Sequence, residues 1–222
     1  MQETDIIEAI YAAYENDNDT WDSTSAEYLT ARILANMAIK RWAKLEGVRW
    51  NELYKELADA TDGDKTTLAG DASYGCPSDM MIPPQVGEYV GIGGTTYVIE
   101  PISRLPQLKE SETNFVYFVG NEKDGFDMKV NSNVNLTTGA TISYGYWKKP
   151  THLSTGTSEN EMKDPMFIVH YVLSRFYKSD GLLTESNQEM QVAEGLLDQM
   201  RTENTEVIGD ELDINDAGFG EL

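Results

Sequence analysis

The sequence predicts an α+β protein, a bundle of about five helices carrying an inserted antiparallel β module. Three observations carry this expectation. Residues 76–153 read with period two, broken by turn residues. Helical periods occupy the chain on both sides of that stretch. Met166–Leu173 is apolar at nearly every position, as in a helix that other elements surround. The implied layout places N-terminal helices of a helical domain at 1–75 and the inserted β domain at 76–153. C-terminal helices of the helical domain follow at 154–204, then an acidic tail at 205–222.

The elements follow in order. Residues 3–16 suit a short amphipathic helix with Ile6, Ile10, Ala13 and Tyr14 on one face. The polar run Asp17–Asp22 breaks it. Thr24-Ser-Ala-Glu27 has the form of a capping box, in which the hydroxyl takes an orphan amide and the glutamate reaches back. The helix it starts runs from Ser25 to about Glu46. Leu29, Ile33, Leu34, Met37, Ala38, Trp42 and Leu45 form its wide apolar stripe. Lys40, Arg41 and Lys44 lie near its C-terminus, where cations complement the dipole, and Gly47 suits the C′ position. A third helix is predicted over about Trp50–Ala60, with Trp50, Leu53, Tyr54 and Leu57 on one face. Asp59–Gly75, rich in Asp, Gly, Thr and Ala, reads as a loop.

In the β module, Gly93-Gly94 separates Val86–Ile92 from Thr95–Ile99 and suits a primed hairpin turn, whose central residues need positive φ. Glu122-Lys-Asp-Gly125 separates Phe115–Gly120 from Phe126–Val130. Thr138-Gly139 separates Val134–Leu136 from Ala140–Trp147. Five or six strands result. Phe126, Met128 and Val130 share one face, as do Ile142, Tyr144 and Tyr146. Lys149-Pro150 ends the last strand, and Ser154–Glu161 is a polar loop. Asp164-Pro165 is a helix start with Asp at N-cap and Pro at N1. That helix ends at Ser179-Asp180-Gly181. A last helix spans about Glu185–Arg201, with Met190, Ala193, Leu196, Leu197 and Met200 at helical spacing. Thr205–Leu222 shows neither period.

The chain has 222 residues, enough to bury one substantial core. Its formal charge of −21 is unevenly placed. Residues 1–24 and 203–222 each hold seven carboxylates and no Lys or Arg. Such ends exclude duplex DNA binding through phosphate contacts. Cys76 is the one cysteine, so no intramolecular disulfide forms and nothing points to an oxidising compartment. No signal peptide opens the chain and no apolar run is long enough for a bilayer; no membrane association is expected.

The search for chemistry is largely negative. His170 falls in the apolar helix and reads as a hydrogen-bonded core residue; His152 follows a strand end and reads as exposed. A Cys76–histidine dyad has no supporting context. Gly91-Ile-Gly-Gly94 lacks the third glycine of a dinucleotide loop and lies between strands. Asp17-Asn-Asp19-Thr-Trp-Asp22 lacks the central glycine and distal glutamate of a calcium loop. Carboxylates are numerous, but none is singled out as a glycosidase pair. Tyr97, Phe115, Tyr117, Phe118, Tyr144, Tyr146 and Trp147 could form a sugar platform, though period-two core packing accounts for most of them. No catalytic residue, metal or cofactor is expected.

The order of parts resembles the head–tail adaptor proteins of tailed bacteriophages, also called head-completion or neck connector proteins. The resemblance rests on Trp50 after a long helix, Tyr74-Gly-Cys-Pro77-Ser-Asp79-Met80 leading into the strands, and Tyr144-Gly-Tyr-Trp-Lys-Lys149-Pro150 leading out of them. Asp164-Pro165-Met-Phe167 then opens the terminal helices. It covers about residues 25–202, with Cys76 where leucine is common in the family. The resemblance implies a structural, non-enzymatic virion protein of the neck, assembled in the host cytoplasm as a ring, twelve-fold in the family. Its partners would be the portal protein, tail, nozzle or fibre proteins and its own copies. DNA would pass through the channel without being bound specifically. Twelve copies would carry about −250 charges, which repel DNA phosphates. Trp42, Trp50, Phe167, Tyr171 and Leu173 would form the core of the ring-forming helices. Val207, Ile208, Glu211, Leu212, Ile214 and Phe219 of the tail would contact the portal. The competing expectations are a carbohydrate- or receptor-binding β module of a tail-associated protein, and a hydrolase using paired carboxylates.

Overall fold

A computed structural model describes residues 1–16, 20–107, 114–131 and 136–213, with the backbone alone over 205–213. The fold is mixed α/β, with four α-helices and nine strands among the described residues. The chain divides into two compact units: a helical one, Met1–Glu52 with Pro150–Leu222, and a β one, Leu53–Lys149. The inserted unit therefore starts well before residue 76. Residues 53–75, expected with the N-terminal helices, belong to the β unit.

In the helical unit, α1 spans Glu3–Glu15, α2 Ala26–Ala43, α3 Met166–Ser179 and α4 Leu183–Asp213. Helix α3 packs against α1, α2 and α4. This central place explains its composition: seven of its residues, from Phe167 to Ser174, are buried. The Asp164 carboxylate accepts the Met166 amide at 2.9 Å, so it serves the first turn although Pro165 occupies the N-cap. At the start of α2 the cap is Ser25, whose hydroxyl accepts the Tyr28 amide at 3.1 Å. Thr24 instead donates from its amide and hydroxyl to Asp22.

Helix α2 departs most from expectation. Its buried face is Tyr28, Ala31, Ala35, Ala38, Ile39, Trp42 and Ala43. The small alanine side chains let the bulky face of α3 approach, and Leu29, Ile33 and Met37 are left outside. Helix α4 also exceeds expectation. Its 31 residues extend about 46 Å, against about 21 Å for the 14 residues of α3. Asn204 anchors it, accepting the Asn51 amide at 3.0 Å and donating to the Arg49 carbonyl at 2.8 Å. The backbone then stays helical to Asp213, where sequence period gave no helix. Extending an existing helix fixes one residue at a time, so it needs no amphipathic period of its own.

In the β unit the predicted third helix is absent. A 3-10 turn at Asn51–Leu53, at the junction, leads into β1, Tyr54–Glu56, followed by a second 3-10 turn at Leu57–Asp59. Leu53 and Leu57 are both buried. A spacing of four is in phase with a helix and with a strand, and pairing with the chain end of the unit decides for the strand. Strands β2 to β5 are Ser73–Gly75, Met80–Ile82, Tyr89–Ile92 and Thr95–Ile99. Strands β6 to β9 are Phe115–Asn121, Gly125–Val130, Ile142–Ser143 and Gly145–Lys148. They form a three-stranded sheet, β1-β9-β3, and a six-stranded sheet, β2-β7-β6-β5-β4-β8. The expected all-antiparallel module is mixed: β5 and β6 run parallel, with Val98 opposite Phe115.

Gly93 (φ 57°) and Gly94 (φ 84°) make the β4–β5 turn, with Ile92 opposite Thr95. The β6–β7 turn is closed by Asn121, whose side-chain oxygen accepts the amides of Lys123 and Asp124 at 2.9 Å each. Met128, Val130, Ile142, Tyr144 and Tyr146 are buried in one core with Val90, Ile92 and Val116. The run expected at Val134–Leu136 falls largely outside the described residues.

Gly120 sits at φ 114°, and a Cβ built there would run into the Gly125 carbonyl oxygen. Gly120→Ala therefore destabilises the β unit by about 1–3 kcal/mol from backbone strain alone. The midpoint of denaturant unfolding, followed by β-sheet circular dichroism, checks this; an unchanged midpoint contradicts it.

Candidate interaction surfaces

The five aromatic and aliphatic residues expected in the ring core all lie inside the helical unit's own core. Trp42 and Phe167 are fully buried, and Trp50, Tyr171 and Leu173 nearly so. The Trp42 and Trp50 rings stack with centroids 5.2 Å apart, and Trp50 Nε1 donates to the Trp42 carbonyl at 2.7 Å. Phe167 lies 6.1 Å from Tyr171, and the Arg175 guanidinium covers the Tyr171 ring at 4.9 Å. These side chains build the fold of one copy and present no surface to another.

The surface that the sequence reading missed is the outward face of α2. Leu29, Ile33 and Met37 occupy successive turns and are 38%, 62% and 50% exposed. Lys40 and Arg41 in the last turn of α2 and Lys44 at its C-cap are exposed. Arg41 pairs with Glu194 of α4 at 2.5 Å. The signal was present in the sequence. The seven apolar positions expected on this helix, from Leu29 to Leu45, span an arc wider than one packed face, and the spacing 29, 33, 37 marks the second face.

A second surface is the end of α4. Val207, Ile208, Glu211 and Leu212 lie on its helical backbone beyond Asn204. Ile214 and Phe219 lie outside the described residues, as do Asp17 and Asp19 of the weak calcium-like run. The remaining member of that run, Asp22, is held below the usual carboxylate range by the Thr24 hydroxyl and amide.

In the β unit, Asp79 ties three strands together. Its carboxylate accepts the Tyr146 hydroxyl at 2.7 Å and the Lys55 ammonium at 3.0 Å. Its carbonyl accepts the Lys149 amide at 2.6 Å. Tyr146 is fully buried, and burial first, then the Asp79 hydrogen bond, push its phenol well above the usual range. The two motifs, Pro77-Ser-Asp79 and Tyr144–Lys149, therefore meet at Asp79, which accepts from both Tyr146 and Lys149. Tyr97, Tyr144 and Tyr146, proposed above as part of a sugar platform, are buried in the sheet core. The large exposed aromatics of the unit are Tyr54 and Tyr89.

Cys76 belongs to the β unit, and both histidines belong to the helical unit. His170 Nδ1 lies 2.5 Å from the Glu189 carboxylate and is half-buried; His152 is exposed. Burial pushes the Cys76 thiol up to about 11, against a smaller opposing effect of its hydrogen bond with Tyr144. A thiol so shifted is a poor nucleophile near neutrality. Alkylation by iodoacetamide at pH 8 should run about a hundredfold slower in the folded protein than in urea, following the thiolate fraction. The raised value also fixes a sign for stability: this thiol's contribution holds below about pH 9 and is lost as pH rises through about 11. Equal alkylation rates in both states would contradict the burial.

Gly91-Ile-Gly-Gly94 forms part of β4 and its hairpin turn, with no helix after it. Among the described residues, no group of three or more His, Cys, Asp or Glu could hold a metal ion, and no helix is long and apolar enough to cross a membrane. No family model matches this chain, and no curated protein matches it.

Proposed function

We propose that this chain is a structural connector of a tailed bacteriophage particle. It forms a ring, twelve-fold by the family resemblance, between the portal and the tail in the virion neck, and it lets DNA pass. The observation that carries this reading is the meeting of the two motif segments at Asp79 and Tyr146. They belong to a β unit inserted in the chain between the second and third helices of a helical unit, in the order the adaptor resemblance implies. The charge supports the same reading. A ring of chains at −21 each repels DNA phosphates and leaves the genome free to slide. No catalytic role is assigned to any residue.

In this reading the segment beyond Asn204 docks on the portal. Val207, Ile208, Leu212, Ile214 and Phe219 supply apolar anchors, and Glu211 with its acidic neighbours meets Lys or Arg there. Truncation after Asn204 keeps the anchor to Arg49 and Asn51, so the unfolding midpoint should not change. Capture by the cognate portal protein should fall by tenfold or more, roughly the loss of one or two interface anchors, and capture of the full chain should weaken with salt. A truncated chain captured as tightly as the full one would remove this role from the C-terminal segment.

A further inference from the structure

We propose that the outward face of α2 is the surface on which a second copy of this chain binds. The inference rests on the ring reading and adds to it a specific face. Leu29, Ile33 and Met37 form an apolar strip on three successive turns, and the opposite side of the helix is already committed to α3. Among the described residues of the helical unit, no other element sets three large exposed apolar side chains on one face. The strip runs into Lys40, Arg41 and Lys44, and from Tyr28 to Leu45 the chain carries no carboxylate.

Charge identifies the occupant. Two chains at −21 repel as wholes, and a contact that sets cations of one against carboxylates of the other offsets that repulsion. This chain supplies both halves. The exposed end of helix α2 offers the cations, Lys40 foremost, since Arg41 also pairs with Glu194 of its own chain. Helix α1 exposes Asp5, Glu8 and Glu15 and contains no Lys or Arg, and residues 203–222 hold seven carboxylates and no cation. A contact between two different surfaces of identical chains is heterologous, the kind that closes a ring. The apolar strip would give such a contact its dry centre and the lysines its rim.

The test uses the full chain in a sedimentation series over concentration, with wild type, Ile33→Glu and a Lys40→Glu/Lys44→Glu double variant, each checked by circular dichroism. Ile33 is exposed, so Ile33→Glu should fold as wild type does. It should nonetheless raise the dissociation constant for self-association by roughly thirtyfold or more. The double variant should weaken self-association less, and only at low salt. A folded Ile33→Glu protein that assembles like wild type overturns this face and leaves the ring to another surface. A wild-type chain that stays monomeric at the highest concentration reached overturns the inference. A two-fold dimer lost in Ile33→Glu upholds the face and overturns the ring.

Discussion

Phe167→Ala is expected to lower the stability of the helical unit by about 3–5 kcal/mol, a large share of what a domain of this size holds. Phe167 is fully buried at the first turns of α3, the helix that touches all three others. The lost ring leaves a cavity that three packed helices can only partly close. Denaturant titration followed by tryptophan fluorescence should report it, because the stacked Trp42 and Trp50 lie in the same unit. Ile33→Ala on the outer face of α2 serves as the comparison, and its midpoint should move by less than about 0.5 kcal/mol equivalent. If the two substitutions cost the same, α3 is not the centre of the helical core.

The second large effect concerns excision of the β unit. Replacing residues 53–149 by a short Gly/Ser linker should leave α1 to α4 folded. The two ends of the excised unit are paired strands, with Tyr54 opposite Trp147, so a short linker spans the ends that remain. Cys76-Pro77 and Lys149-Pro150 read in sequence as hinge points, from which an excision of 78–148 would be expected to spare the helices; the strand pairing predicts instead that it aggregates. It would strand β1 without β9 and β2 without β7, and expose Leu57 and Tyr74, which are now buried. Helical circular dichroism and the size of the soluble species separate the two cases. Loss of helix in the wider excision would show that the helices depend on the β unit.

The legible part of this fold is where local signals and packing agree. Met166–Leu173 announced its central burial, and Gly93-Gly94 its turn, because composition and positive φ leave few alternatives. The failures arise where one pattern serves two structures. The four-residue spacing of Leu53 and Leu57 fits a helix or a strand, and only the pairing of Tyr54–Glu56 between them with β9, ninety residues on, selects the strand. On α2, hydrophobicity pointed to Leu29, Ile33 and Met37 as inward, but shape prevailed. The alanine face fits α3, and the larger side chains remain outside. The parallel β5–β6 pair depends on a crossover that no local pattern encodes. For the candidate surfaces, the acidic run after Asn204 was readable from charge alone. The α2 face was readable only from the width of its stripe, because an unburied apolar strip otherwise looks in sequence like any core stripe.

The most direct test of the connector reading is electron microscopy of the purified full chain, alone and mixed with its cognate portal. Rings with a central hole, stacked coaxially on the portal in the mixture, are the predicted result. Monomers or globular oligomers without a channel, unchanged by the portal, would contradict the reading.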